Sequence, residues 1–228
     1  VLYVGRFDPR KGLETMVRAC AQTQARTQGN LRLVIAGGSD SERADGRERE
    51  RIENIVREVG LAEQTIFVGR IGHDLLPLYY TAADLCVIPS HYEPFGLVAI
   101  EAMACGTPVV ASNVGGFKFT VVPEETGLLV PPQDNTAFAA AIDRILADEL
   151  WAKKLRKQAS VRVRQNFSWT GVAIQLSELY RRLLAESLMG EQLGYLPLSR
   201  TWDNTVTAIG PKVAAKSLTK KAVSTPVA

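Results

Sequence analysis

The chain is poor in the residues that build covalent or metal-held scaffolds. Its three cysteines, at positions 20, 86 and 105 of 228, are odd in number and widely spaced. They offer neither a disulfide framework nor a metal knuckle, and they read as small apolar residues of a reducing compartment, the cytoplasm. The two histidines, His73 and His91, leave no credible Ser-His-Asp triad. No Asp-x-Asp pair and no His/Asp cluster occurs, so the expected metal and cofactor content is none. A dinucleotide site needs Gly-x-Gly-x-x-Gly after the first strand, and Gly5-Arg6-Phe7 does not supply it. There is no signal peptide and no run of eighteen apolar residues, so no transmembrane segment is expected.

The charges nearly balance, with 27 basic residues against 24 acidic ones. A net charge of +3 is too small to point to nucleic acid. Part of it lies at the far end, where Lys212, Lys216, Lys220 and Lys221 face no acid after Asp203. From about residue 190 the pattern fades, and 212–228 is largely Ala, Lys, Ser, Thr, Val and Pro without periodicity, which predicts a disordered tail over 190–228. Peripheral contact of its lysines with a membrane or a partner is left open.

What is present is a globular chain of ordinary apolar content, long enough for one large domain or two small ones. It opens on Val1-Leu2-Tyr3-Val4, already strand-like and without an initiator Met. This predicts the C-terminal part of a longer protein.

Short β-branched or apolar runs alternate with helical stretches. Strands are expected at 2–4, 31–36, 65–68, 85–88, 108–111 and 127–130, and helices at 12–28, 42–59, 74–82, 96–104 and 117–121. This alternation predicts an α/β fold, a doubly wound parallel sheet. Near-continuous apolar strands imply cover on both faces. Gly5-Arg6, Gly37-Gly38, Gly69-Arg70, Pro89-Ser90 and 112–116 then all fall at the carboxyl ends of strands, where such sheets bind ligands. After Pro131-Pro132 three helices are expected, at 135–147, 149–166 and 169–188, with Ser168 as N-cap of the last. An apolar stripe on that last helix suits a partner domain or its own domain equally.

The most informative segment is Ser90 to Ser112, SHYEPFGLVAIEAMACGTPVVAS. From Leu97 to Cys105 every side chain except Glu101 is apolar, and a helix apolar all round is normally buried. A buried carboxylate is costly unless paired, and no Lys or Arg lies within a turn or two of Glu101. A ligand is the expected partner. Glu93 sits eight residues earlier in the loop behind Pro94 and Gly96. Two acids framing the amide donors of a helix start suit a phosphorylated, hydroxyl-rich ligand. In the first loop, Gly5-Arg6-Phe7-Asp8-Pro9-Arg10-Lys11-Gly12, cations at a helix start oppose the helix dipole, which argues for an anion there.

These segments resemble the Glu-x7-Glu motif and first loop of the retaining family-four glycosyltransferases, which have the GT-B fold. The resemblance covers about residues 1–187. It implies that Glu93 hydrogen-bonds the donor sugar, and that Glu101 grips the nucleotide ribose. It places the backbone of Phe95, Gly96 and Leu97 against sugar and diphosphate. Arg6 and Lys11 would reach the diphosphate in place of a metal, with Gly5 letting the backbone approach. The region of Arg70 would flank the base, and Arg10 would be solvated. Ser112-Asn113-Val114-Gly115-Gly116 matches the family's Gly-Gly turn beside the sugar. The family commonly has a Glu three residues after the second Gly, and Phe119 stands there instead. The stretch is most similar to sucrose-phosphate synthases, and nearly as close to inositol-phosphate N-acetylglucosaminyltransferases. The implied donor is a nucleoside-diphosphate sugar, with UDP-glucose favoured, and the implied acceptor is an unidentified hydroxyl. The implied organisation is a Rossmann-like nucleotide-sugar-binding domain over 1–166, a crossover helix over 167–189, the tail, and a separate N-terminal domain carrying the acceptor site. Two other readings stay open at this point: a non-catalytic nucleotide-sugar-binding module and a GDP-mannose-dependent mannosyltransferase.

Overall fold

The computed structural model describes residues 1–38 and 44–193, with side chains described for 46–187 of the second stretch. Six strands, β1 (Leu2–Val4), β2 (Leu33–Ala36), β3 (Thr65–Gly69), β4 (Cys86–Ile88), β5 (Val109–Ser112) and β6 (Gly127–Val130), form one sheet. Its order is β3-β2-β1-β4-β5-β6 and every pairing is parallel. The chain winds outward from β1 in one direction, then returns to the centre and winds outward from β4 in the other. The reversal leaves a crevice between the carboxyl ends of β1 and β4, where doubly wound sheets take their ligands.

The helices are α1 (Leu13–Gln22), α2 (Gln24–Thr27), α3 (Ala44–Glu58), α4 (Leu76–Ala82), α5 (Leu97–Ala104), α6 (Phe117–Thr120), α7 (Asn135–Ala147), α8 (Glu149–Asn166) and α9 (Trp169–Leu193), with a 3-10 turn at Pro9–Lys11. The chain divides into two units, Val1–Glu178 and Leu179–Ala228; the sheet and the site lie in the first. Ser168 caps α9 as expected, its Oγ accepting from the Gly171 N–H at 3.0 Å. That helix runs past its expected end at 188 to Leu193. The rest of the expected tail, 194–228, lies outside the described residues, as does the expected start of α3 at 42.

Alternation along the strands supplies two cores. Tyr3, Ile35, Val87 and Val110 join one, with Leu13, Met16, Val17 and Cys20 of α1, Ile52 of α3, and Phe138 and Ile142 of α7. Leu2, Ala36, Cys86, Ile88, Val109 and Ala111 join the other, with Tyr80 of α4, Ala102 and Met103 of α5, and Phe117 of α6. The i, i+3, i+4, i+7 spacing of the α1 residues is the face a half-buried helix needs. Each fully buried Leu, Ile or Phe contributes about 1.5–3 kcal/mol. Cys20 and Cys86 are buried free thiols, and burial pushes both up to about 12, so they act as apolar filling.

Two helix boundaries differ from expectation, one through a contact with another element and one through a local turn. The expected helix over 12–28 breaks at Thr23, which adopts extended backbone. There the Asp143 carboxylate of α7 accepts from the Gln24 N–H at 2.9 Å, and the Thr23 hydroxyl accepts from the Arg26 N–H. The second helix thus begins on donors held from another element. The helix expected from 74 starts at Leu76, because the Gly72 carbonyl takes the Leu75 and Leu76 N–H groups in a turn. His73 lies exposed in that turn rather than at a helix start.

Backbone meets backbone where β1 and β2 end. Gly37 has a φ of 134°, donates to the Gly69 carbonyl at 2.7 Å, and has no room for a Cβ against the Gly5 carbonyl. Gly37→Ala is expected to lower unfolding free energy by about 2 kcal/mol or more, through left-handed strain and the clash together. Urea denaturation checks this; a loss under half that size means the loop yields without cost.

Candidate active site

The loop after β1 is built to be rigid. Asp8 caps the 3-10 turn, its carboxylate accepting from the Arg10 N–H at 3.0 Å and from the Arg10 guanidinium at 2.6 Å. Pro9 opens the turn, and Gly12 closes it with a φ of 68°. A Cβ on Gly12 would strike the Pro89 carbonyl, so only glycine lets this loop pass the end of β4. Phe7 turns inward, buried and stacked on Phe67. Arg6, its neighbour, is exposed and makes no ion pair among the described residues. Gly5 donates to the Ala36 carbonyl at 3.0 Å, at the mouth of the crevice.

The loop after β4 is locked to this one. The His91 N–H donates to the Arg10 carbonyl at 2.8 Å, and the His91 ring is exposed. Two residues on, Glu93 meets Lys11: Nζ to Oε2 is 2.7 Å, with side chains 25% and 15% exposed. The chain thus joins residues 82 positions apart in one part-buried ion pair. On its other side the Glu93 carbonyl accepts from the Gly116 N–H at 2.8 Å. A side chain on Gly115 would strike that carbonyl, and one on Gly116 would strike the Phe95 backbone. The Gly-Gly turn after β5 is therefore a close backbone seat for the Glu93 loop. Gly96, with a φ of 90°, starts α5 against the Phe117 ring.

The remaining expected positions separate. The Phe95 ring stacks edge-on against Phe167 at 6.1 Å, so its side chain is structural and its backbone faces the turn. Leu97 is exposed on the first turn of α5. Arg70 lies exposed after β3, two strands from β1, away from the Lys11–Glu93 pair along the same edge. Phe119, where the family pattern has an acid, is exposed on α6. Arg10 is exposed as expected, yet it serves Asp8.

Two expectations about α5 are corrected. The helix is not buried all round: Ala99, Ala102 and Met103 enter the core, while Leu97 and Ala104 are exposed and Glu101 is half-buried. Nor does Glu101 depend on a ligand for its partner. The Tyr80 hydroxyl of α4 donates to Glu101 Oε2 at 2.9 Å. Sequence reasoning missed Tyr80, because a tyrosine in the apolar stripe of a short helix reads as core. Only its hydroxyl distinguishes it, and that group's target comes from the fold.

Ser90 and Ser112, fully buried beside the ends of β4 and β5, have hydroxyls without a hydrogen bond among the described residues. A cavity of about 370 Å³ lies beside the 3-10 turn, lined among others by Gly12, Thr15, Arg18, Arg51 and His91. Lys11, Glu93 and Glu101 do not line it, and both arginines are held by Glu14, with Glu58 and Glu48 beyond. Among the described residues no group of three His, Cys, Asp or Glu side chains is placed to hold a metal, and no helix is long and apolar enough to cross a membrane.

These features define a doubly wound α/β domain with a charged edge at its switch point. A family model described as glycosyl transferases group 1 matches residues 1–165. The D-inositol 3-phosphate glycosyltransferase of Acidothermus cellulolyticus is 40% identical over 189 residues, covering 82% of this chain and 41% of that protein. Among solved structures, sucrose-phosphate synthase from Thermosynechococcus elongatus is 58% identical with a TM-score of 0.72, over 81% of this chain and 45% of that one. Anabaena HepE, solved in complex with UDP-glucose, is 25% identical with a TM-score of 0.70, over 79% and 48%. The chain belongs to the group 1 glycosyl transferases, and its sheet is a Rossmann-like domain of the GT-B type. It spans less than half the length of these relatives.

Arg10 holds the Asp8 carboxyl far below its ordinary range, down to about 2, through the side-chain hydrogen bond. A depressed carboxylate contributes stability above its unfolded value near 3.9 and loses it as pH falls toward 2. Arg10→Ala is expected to return the Asp8 midpoint to about 3.5–4, read by carboxyl carbon NMR. A midpoint unmoved by the substitution would show that the arginine is not the cause.

Proposed function

We propose that this chain is the donor half of a retaining hexosyltransferase. It binds a nucleoside-diphosphate sugar, UDP-glucose by preference, and the hexose passes to an acceptor hydroxyl held by a separate N-terminal domain. The observation that carries this reading is the Lys11–Glu93 ion pair, set at the switch point of the sheet in a chain of this family. The 58% identity to a sucrose-phosphate synthase and the likeness to a protein solved with UDP-glucose support the choice of donor.

The roles follow from charge. Breaking the bond between the anomeric carbon and the phosphate oxygen leaves extra negative charge on the diphosphate. Arg6, exposed at the mouth of the crevice, and Lys11, fixed beside it, stabilise that charge as it develops. In this reading they do the work of a metal. Glu93 orients Lys11 and accepts from sugar hydroxyls, and Glu101 accepts from the ribose. Backbone amides at the start of α5 add donors toward the phosphates. The acceptor oxygen attacks the anomeric carbon on the face the phosphate leaves, and its proton passes to the departing phosphate oxygen. Configuration is kept without a protein nucleophile. Glu93, neutralised by Lys11, is a poor candidate for one.

The clamp makes a prediction about phosphate number. UDP is expected to bind the chain at least tenfold more tightly than UMP, since each charge-assisted hydrogen bond is worth about 1.5–3 kcal/mol. EDTA is expected to leave binding unchanged. Calorimetry giving equal affinities for the two nucleotides would remove the clamp, and loss of binding in EDTA would remove metal independence.

Lys11 also makes a prediction about turnover. In the full-length protein at saturating donor, Lys11→Ala is expected to lower kcat on the order of a hundredfold or more, because it removes stabilisation of the leaving group. A change confined to KM would assign Lys11 to ground-state binding only.

A further inference from the structure

Glu101 is the one acid on α5, and it accepts a hydrogen bond from a residue of another element. Tyr80 is 1% exposed, packed in the core beneath α5, and its hydroxyl reaches outward to Glu101 Oε2 at 2.9 Å. The Tyr80 main chain is itself held. The Thr107 hydroxyl, fully buried after α5, donates to the Tyr80 carbonyl, and the Ala83 N–H donates to the same oxygen at 3.1 Å. Arg156 of α8 then ties down the following turn, donating to the carbonyls of Ala83 and Asp84 at 3.2 and 3.0 Å. Burial, with Cys86 and Glu101 nearby, pushes the phenol well above its ordinary range. It therefore stays protonated and can act as a donor to the carboxylate throughout the working pH range.

We propose that Tyr80 is a positioning residue for ribose recognition, fixing the plane of the Glu101 carboxylate by occupying Oε2 and leaving Oε1 to accept from the ribose hydroxyls. The proposal rests on the ribose role given to Glu101 above. A carboxylate has about four acceptor sites, and the phenol takes one of them. A half-buried glutamate without that bond samples several rotamers, and a ligand must then order it on binding. With the bond, the ordering happens on folding, and the acid meets the ribose already oriented. Among the described residues no cation competes for this role, since no ion pair to Glu101 is formed.

The test reads hydroxyl discrimination rather than affinity alone. The 228-residue chain, Tyr80→Phe and Glu101→Gln are each titrated with UDP and with 2′-deoxy-UDP, and each is melted. Tyr80→Phe keeps the ring in the core and removes one oxygen. The unmodified chain is expected to prefer the ribonucleotide by about tenfold or more, and Glu101→Gln to lose most of that preference. Tyr80→Phe is expected to lower the preference several-fold by weakening UDP, with 2′-deoxy-UDP affinity unchanged. If Tyr80→Phe lowers the melting temperature but keeps the full preference, the tyrosine is structural only and the proposal is overturned. If the unmodified chain shows no preference, the ribose role of Glu101 itself fails. A preference lost in Glu101→Gln but kept in Tyr80→Phe defeats the positioning step alone.

Discussion

The pairing of β1 with β4 is the constraint on which the rest of the edge depends. Residues far apart in sequence can share an ion pair only because these two strands lie side by side and end together. Parallel pairing sends both following loops to one edge, and the reversal of winding leaves no connection between them to fill the gap. The close approach then has to be made by backbone. Gly12 passing the Pro89 carbonyl, and Gly115 passing the Glu93 carbonyl, are the points where a Cβ has no room. The charged groups are thus placed by glycines that carry no charge.

That placement has an electrostatic meaning. Lys11 is held beside a carboxylate, so the fold itself fixes the direction of its ammonium. Arg6 has no such partner among the described residues and is exposed at the rim. One cation is paired with an acid, and the other is exposed without an ion pair among the described residues. In the proposed function the first supplies geometry and the second supplies net attraction. The Asp8–Arg10 pair keeps the turn between them rigid without adding charge.

Much of the fold was legible because it rests on local signals. The apolar runs at Leu2–Val4 and Gly127–Val130 mark their strands to the residue, and Ser168 marks its helix start. The expectations that failed most were those in which another element decides, whereas the start of α4 is shifted by a local turn at Gly72. Nothing near Thr23 announces that Asp143 will break the helix there. Nothing on α5 announces that Tyr80 will meet Glu101, so in the sequence an acid without local partners points to a ligand. The apolar composition of α5 suggested full burial, but small residues at Ala99 and Ala102 form the face that packs, and the larger Leu97 lies outside. Residues at the charged edge were legible as chemistry but not as neighbours: Lys11 and Glu93 could both be named from the chain, but their contact could not.

The path of α8 has a consequence for how this domain comes apart. Ala152 and Leu155 in its first half belong to the core on one side of the sheet, while Ala159 and Val163 in its second half belong to the core on the other. A helix shared in this way is a mechanical strap. Neither layer can loosen without pulling at least half of α8 from its seat, so the two layers unfold together rather than peeling in sequence. Arg156, midway along it, ties the same strap to the turn before β4. Amide exchange on the two faces would therefore report one opening event, and a domain that hinges against a partner would move as a rigid block.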